Sequence, residues 1–138
     1  MPPVWLILGL ILAWSLPFTF APGALAYLGW GMIGLGALLM ALAVLEFRRA
    51  RTTIIPREAP NALITGGIYR RTRNPIYLAD ALFLAGASLI WGSLVGLLLV
   101  PVFVVIIQRR FILGEEATLR AAYGDAFETY ARDVRRWI

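Results

Sequence analysis

The stretch ALAYLGWGMIGLGALLMALAVL, residues 24–45, decides the fold, because it runs for 22 residues without a charge. At ~1.5 Å of rise per residue, a helix of that length crosses a hydrocarbon core ~30 Å thick. Its glycines (Gly29, Gly31, Gly34 and Gly36) suit close contact between helices rather than a lone span in lipid. Upstream, residues 4–20 form another apolar run with Pro17 near its end, and Ala21-Pro22-Gly23 between the two runs reads as a turn. Residues 1–45 carry no charged side chain at all.

The rest of the chain repeats this partition. Of its 138 residues, 60% are hydrophobic and only 15% charged, against about a quarter charged in soluble domains. The 13 basic and 8 acidic residues fall in two blocks, 46–80 and 109–136, and residues 81–108 carry none. A bilayer imposes such clustering, since a charge at its centre costs about 2.5–3.5 kcal/mol even on insertion scales. The second uncharged stretch divides into a helix over 75–90, a tight turn at Trp91-Gly92-Ser93, and a helix over 94–113 with Pro101 as a kink. Asn74 reads as the N-cap of the first of these helices and Pro75 as its first residue.

The expected fold is therefore all-α. It is a polytopic membrane helical bundle forming a single domain over 1–138, with four transmembrane spans at 4–20, 24–45, 75–90 and 94–113 and a tail over 114–138. Every basic residue is an arginine: seven lie in the loop 46–74, six in the segment from Arg109 onward, and none in the two short turns. The positive-inside rule then places both termini, the middle loop and the tail in the cytoplasm. The expected location is the inner (cytoplasmic) membrane of a bacterium or archaeon. No basic region precedes the first apolar run, so no cleavable signal peptide is expected. Nucleic acid is not an expected partner, because the arginines flank spans and no basic patch interleaved with aromatics occurs.

In the tail, Leu119, Tyr123, Ala126, Tyr130, Val134 and Trp137 recur at helical spacing. Gly124 interrupts them as a helix C-cap, and Asp125 to Glu128 has the spacing of a capping box. The expectation is two short amphipathic helices lying on the cytoplasmic membrane surface.

The chain contains no Cys, His or Lys. Thiolate nucleophiles, imidazole bases, Schiff bases and Cys- or His-ligated metals are excluded. Both charged blocks lie on one side of the membrane and can meet there. The middle loop brings NALITGGIY at 61–69 and RNPIY at 73–77, and the tail brings Glu115-Glu116 directly after the fourth span. Glycines beside polar and aromatic residues suit a backbone that wraps a ligand. Adjacent carboxylates suit hydroxyls, amines or a cationic ligand.

The runs LITGGIY at 63–69 and RNPIY at 73–77 resemble the signature of isoprenylcysteine carboxyl methyltransferases and related phospholipid methyltransferases. Glu115-Glu116-x-x-Leu119, with Tyr123-Gly124 and Tyr130, is similar to the C-terminal half of that family. The resemblance covers residues 51–138 and extends to the first two spans only as hydrophobic helices. It implies an integral-membrane methyltransferase that uses S-adenosyl-L-methionine and lacks a soluble Rossmann fold. By the resemblance, Asn61, Ala62, Leu63, Ile64, Tyr69, Asn74, Pro75, Ile76 and Tyr77 line the cofactor site on the cytoplasmic side, beneath the tail. Glu115 holds a polar end of the cofactor, with Glu116 nearby. Arg73 belongs to the same motif as a catalytic candidate. Asp80, or one of the glutamates, is the candidate base should the acceptor be an amine. Asn74 stands where many members have His. Phe111 stands where the eukaryotic prenylcysteine enzymes carry an Arg, and Arg109 and Arg110 are expected to point elsewhere on the helix.

Methyl transfer from a sulfonium suits this residue set, because neither a metal nor a covalent enzyme intermediate is needed. The acceptor stays open between a prenylcysteine-like carboxylate, a lipid amine and another hydrophobic small molecule. The competing reading is a non-catalytic membrane scaffold or lipid-binding protein. A transporter is disfavoured, since no span carries a deep ionisable residue or an evident inverted repeat.

Overall fold

The computed structural model describes residues 1–16, 19–50 and 62–138, and its regular elements are helical apart from one isolated bridge between Thr19 and Ser93. The helices are α1 (Pro2–Ser15), α2 (Leu25–Arg49), α3 (Pro75–Trp91), α4 (Leu94–Ile107), α5 (Leu113–Tyr123) and α6 (Asp125–Asp133). A single 3-10 turn, Gly67–Arg70, precedes α3, and a π-helical turn, Gln108–Ile112, joins α4 to α5.

Helix α3 is the hub. Pro75 occupies its first turn, where the missing N–H costs nothing, and Gly92 closes it in a left-handed conformation at φ 65°. Its second half carries the small-residue run Ala85-Gly86-Ala87-Ser88, and eleven of its seventeen residues are buried. α1, α2 and α4 pack around it. The contact with α2 brings the two backbones close, because a Cβ on Gly29 would lie 2.6 Å from the Gly86 carbonyl oxygen and one on Gly86 2.7 Å from that of Gly29. Gly36 is pressed on Phe83 in the same way. Of the four α2 glycines expected to serve helix contacts, only Gly29 and Gly36 do. Gly31 and Gly34 face open space, because positions seven apart share a helix face whereas those two and five residues on from Gly29 do not.

The other helices present apolar outer faces. Ile7, Ile11 and Trp14 on α1, Leu28, Trp30 and Leu38 on α2, and Leu98, Val102 and Val105 on α4 are all exposed. Contiguous apolar surface on this scale is what a bilayer covers. Among the described residues, two helices are long and apolar enough to cross a membrane, α2 and the continuous helix Leu94–Tyr123. α1 and α3, at 14 and 17 residues, are shorter apolar helices. α1 ends at Ser15, short of the run to residue 20 read from hydropathy, and Pro17 lies outside the described residues.

Other boundaries depart from expectation as well. The fourth helix does not stop at residue 113; it passes through the π turn into α5, so the first tail helix continues the last apolar one. α4 runs through Pro101, and the departure from α geometry comes later, at Gln108–Ile112. Asn74 holds the N-cap position of α3 but makes no side-chain cap. The cap of α6 falls on Gly124 rather than Asp125, with no capping-box hydrogen bond. That glycine, at φ 50°, restarts the helical phase. The buried residue of α6 is consequently Phe127, while Ala126, read as part of the apolar stripe, is exposed.

The two short turns meet at one end of the bundle, where the Phe20 N–H donates to the Gly92 carbonyl at 2.7 Å. The first turn of α1, the last turns of α2, the start of α3 and α5 all gather at the opposite end.

Candidate active site

At that end lies a cavity of about 610 Å³, within the ~300–1,000 Å³ usual for small-molecule sites. Every site residue expected from the sequence lines it except Asn61, which lies outside the described residues. Ala62, Leu63 and Ile64 come from the loop, Tyr69 from the 3-10 turn, and Arg73 and Asn74 from the entry to α3. Pro75, Ile76, Tyr77 and Asp80 come from the first turns of α3, and Glu115 and Glu116 from α5. The structure thus brings together two segments about forty residues apart in the chain.

The walls divide by chemistry. Met40 and Phe47 of α2, Pro2 and Pro3 of α1, Ile76 and Phe111 form apolar surface. The polar side centres on α5. Glu115 Oε1 accepts a 2.6 Å hydrogen bond from the Tyr77 hydroxyl. Burial pushes the Glu115 carboxyl above its ordinary range, and the Tyr77 bond pulls the other way without cancelling that shift. Glu116 is the reverse case. Burial raises it, but Arg136 donates to both its oxygens at 2.8 Å, and the Arg73 and Arg136 charges add to the pull, so its carboxyl lies below the ordinary range. Two neighbouring glutamates are therefore shifted in opposite directions, because burial outweighs the single Tyr77 bond at Glu115 whereas the arginines outweigh burial at Glu116. Burial also raises the Tyr69 and Tyr130 phenols, which stay protonated. The Tyr130 hydroxyl donates a hydrogen bond to the Tyr69 carbonyl at 2.7 Å.

Arg73 reaches Glu116 through Nη2 at 3.5 Å, while its Nε is buried without a hydrogen-bond partner among the described residues. A buried, unbonded donor in a cavity wall fits an anionic group of a ligand. Asp80 is 7% exposed, and the ion pairs among the described residues lie elsewhere. Asn74 directs its side-chain amide away from its own helix, to the Arg136 carbonyl at 3.0 Å.

Several residues at this site were not visible beforehand. Phe127, 1% exposed, lines the cavity beside Tyr130. Its signal was spacing: once Gly124 is taken to reset the phase, Phe127 and Tyr130, three residues apart, share the face of α6 that lines the cavity. Arg110 was expected to point elsewhere yet lines the cavity, because the π turn puts an extra residue into the helix just there. Arg136 had no sequence signal, being one of several arginines in a charged tail.

A family model for phospholipid methyltransferase matches residues 24–126, a segment containing both motifs and the helices that carry them. The chain belongs to the phospholipid methyltransferase family. Among curated relatives of this family member, protein-S-isoprenylcysteine O-methyltransferase of Schizosaccharomyces pombe is 28% identical over 106 residues, covering 75% of this chain and 45% of that protein. A probable protein-S-isoprenylcysteine O-methyltransferase of Oryza sativa subsp. indica is 32% identical over 114 residues, 79% of this chain and 58% of its own. An uncharacterized protein of Haemophilus influenzae is 33% identical over 63 residues, all of its length and 46% of this chain. The chain spans about half the length of the two named enzymes it matches. No solved structure matches it.

Proposed function

We propose that this chain is an integral-membrane methyltransferase that uses S-adenosyl-L-methionine to methylate a lipophilic acceptor. The observation that carries the reading is the convergence of both motifs on one cavity with a polar and an apolar side. In this reading all four apolar helices span the bilayer, with the shorter α1 and α3 close to its normal, and the arginine-rich end faces the cytoplasm.

Bound S-adenosyl-L-methionine supplies a methyl group on a sulfonium, which an in-line nucleophile takes while a neutral thioether leaves. The chain's own groups hold and orient. Glu115, braced by Tyr77, accepts from hydroxyl or amine groups at the polar end of the donor. Arg73 Nε, unbonded among the described residues, is a donor for a carboxylate. Ala62, Leu63, Ile64, Tyr69 and the turn from Asn74 to Tyr77 form the wall, with Asn61 as a further candidate. Glu116 lines the same wall through its pairing with Arg73 and Arg136. Phe127 and Tyr130 of α6 close the cavity from the cytoplasmic side and keep water from the charged donor. Alignment of this kind contributes up to ~7–11 kcal/mol of a barrier.

The acceptor enters from lipid. α1 and α2 both pack on α3 but scarcely touch each other, and both line the cavity, so the gap between them is the route for an apolar tail. Asp80 faces the cavity from α3 and takes the proton when the acceptor is an amine.

Calorimetry on purified protein tests the reading. Saturable binding of S-adenosyl-L-methionine is expected, and its loss in Glu115→Ala and in Asn74→Ala. Undiminished binding by both variants in folded form refutes the site. A folded wild-type protein that binds no donor favours the non-catalytic scaffold.

A further inference from the structure

We infer that Arg136 is a positioning residue for the donor site, locking the loop motif to the glutamate motif. The inference rests on the methyltransferase reading above.

After α6 the backbone becomes extended at Val134 (φ −119°, ψ 127°), and the residues that follow bond to the entry of α3, to α5 and to Gln108. Arg136 makes contacts in two directions. Its carbonyl accepts from Asn74 Nδ2 at 3.0 Å and from Thr72 Oγ1 at 3.4 Å. Its guanidinium donates from Nε and Nη2 to the two oxygens of Glu116, each at 2.8 Å. The preceding residue strengthens the first link, since the Arg73 N–H donates to the Arg135 carbonyl at 3.0 Å. One residue therefore fixes the entry to α3 with its backbone and α5 with its side chain.

This accounts for two features the donor site leaves unexplained. Asn74 stands at an N-cap position and caps nothing; its side chain is turned instead so that Nδ2 donates to the Arg136 carbonyl. Glu116 lines the cavity with both oxygens already occupied, so it serves as the anchor of the tie while its neighbour Glu115 faces Tyr77. The Glu116 side chain is 9% exposed, and losing Arg136 would strand an enclosed carboxylate with only the 3.5 Å contact to Arg73. The planar fork makes two parallel bonds, one to each oxygen, which a single ammonium centre does not reproduce, so Lys is an incomplete substitute.

The test compares Arg136→Gln, Arg136→Lys, Glu116→Gln, the double Glu116→Gln/Arg136→Gln variant, and Trp137→Phe. Trp137→Phe removes a different bond of the same strap, from Trp137 Nε1 to Gln108 at 2.9 Å. Affinity for S-adenosyl-L-methionine is read by calorimetry, and exchange of the Arg73 amide by hydrogen–deuterium measurement. A hydrogen bond to a charged group predicts a donor Kd raised about tenfold or more in Arg136→Gln. Partial rescue by Lys, a double variant no worse than Arg136→Gln, and faster Arg73 exchange are also expected. Trp137→Phe should stay within about twofold of wild type. Should Arg136→Gln fail to fold, the neutral pair in the double variant carries the measurement. A wild-type Kd in folded Arg136→Gln, or an equal loss in Trp137→Phe, overturns the inference. Wild-type protein that binds no donor refutes the proposed function instead, and the tie is then decided by Arg73 exchange alone: unchanged exchange in Arg136→Gln overturns it.

Discussion

Replacing Tyr77 by Phe removes one oxygen and keeps the ring that packs in the core with Leu84, Phe103 and Ile107. The oxygen is the donor of the 2.6 Å bond to Glu115. A hydrogen bond to a charged group contributes roughly 1.5–3 kcal/mol, or about a 10- to 150-fold change in an equilibrium. If Glu115 holds the donor as an ionised carboxylate, Tyr77→Phe weakens donor binding by that order. The loss also has a defined pH dependence. Burial already pushes the Glu115 carboxyl up, and the Tyr77 bond is what pulls it back. Without the bond, Glu115 takes up its proton at a higher pH, so affinity in the variant begins to fall at a higher pH than in wild type. Calorimetric titration with S-adenosyl-L-methionine at a series of pH values from neutral downward reads both effects. Superposable profiles for wild type and folded Tyr77→Phe would refute the reasoning, as would wild-type affinity in Glu115→Gln.

The two glutamates predict opposite stability effects. The Glu115 carboxyl is raised on folding, so stability falls as pH rises through the window above the ordinary carboxylate value, and Glu115→Gln should raise Tm at neutral pH. The Glu116 carboxyl is lowered, so its contribution is present above the ordinary value and lost as pH falls through the folded one. Glu116→Gln should lower Tm at neutral pH, with the difference vanishing in acid. Gly29→Ala and Gly86→Ala should each cost about 1–3 kcal/mol by forcing α2 off α3, while Gly31→Ala should cost nothing in the same thermal-unfolding assay. Asp80→Asn should leave donor affinity unchanged and slow transfer to an amine acceptor by about 10²–10⁴-fold in single-turnover measurements; unchanged transfer removes Asp80 as the base.

Hydropathy and charge made the helical character, the four apolar segments and the shared end of the charged blocks legible. The motif residues named from the sequence, from Ala62 to Glu116, line one cavity. What stayed hidden depends on phase and on long-range partners. A π turn at Gln108–Ile112 leaves no hydropathy signal, yet it brings Arg110 to the cavity and lets α4 continue into α5. The left-handed break at Gly124 shifts the buried face of α6 to Phe127. Asn74 and Pro75 read as a local helix start, and Pro75 acts as one. The Asn74 side chain instead bonds a carbonyl 62 residues away, which no local pattern encodes. Equal hydrophobicity likewise concealed that α3, one of the shorter apolar helices, is the buried hub.

The central claim is methyl transfer, and following the methyl group tests it most directly. Purified protein is given S-adenosyl-L-methionine labelled on its methyl group together with a native membrane lipid extract, and the lipid fraction is analysed for label. The account predicts a labelled lipophilic product that forms with wild type and is absent with Glu115→Ala. Folded, donor-binding wild-type protein that leaves every lipid unlabelled would contradict it.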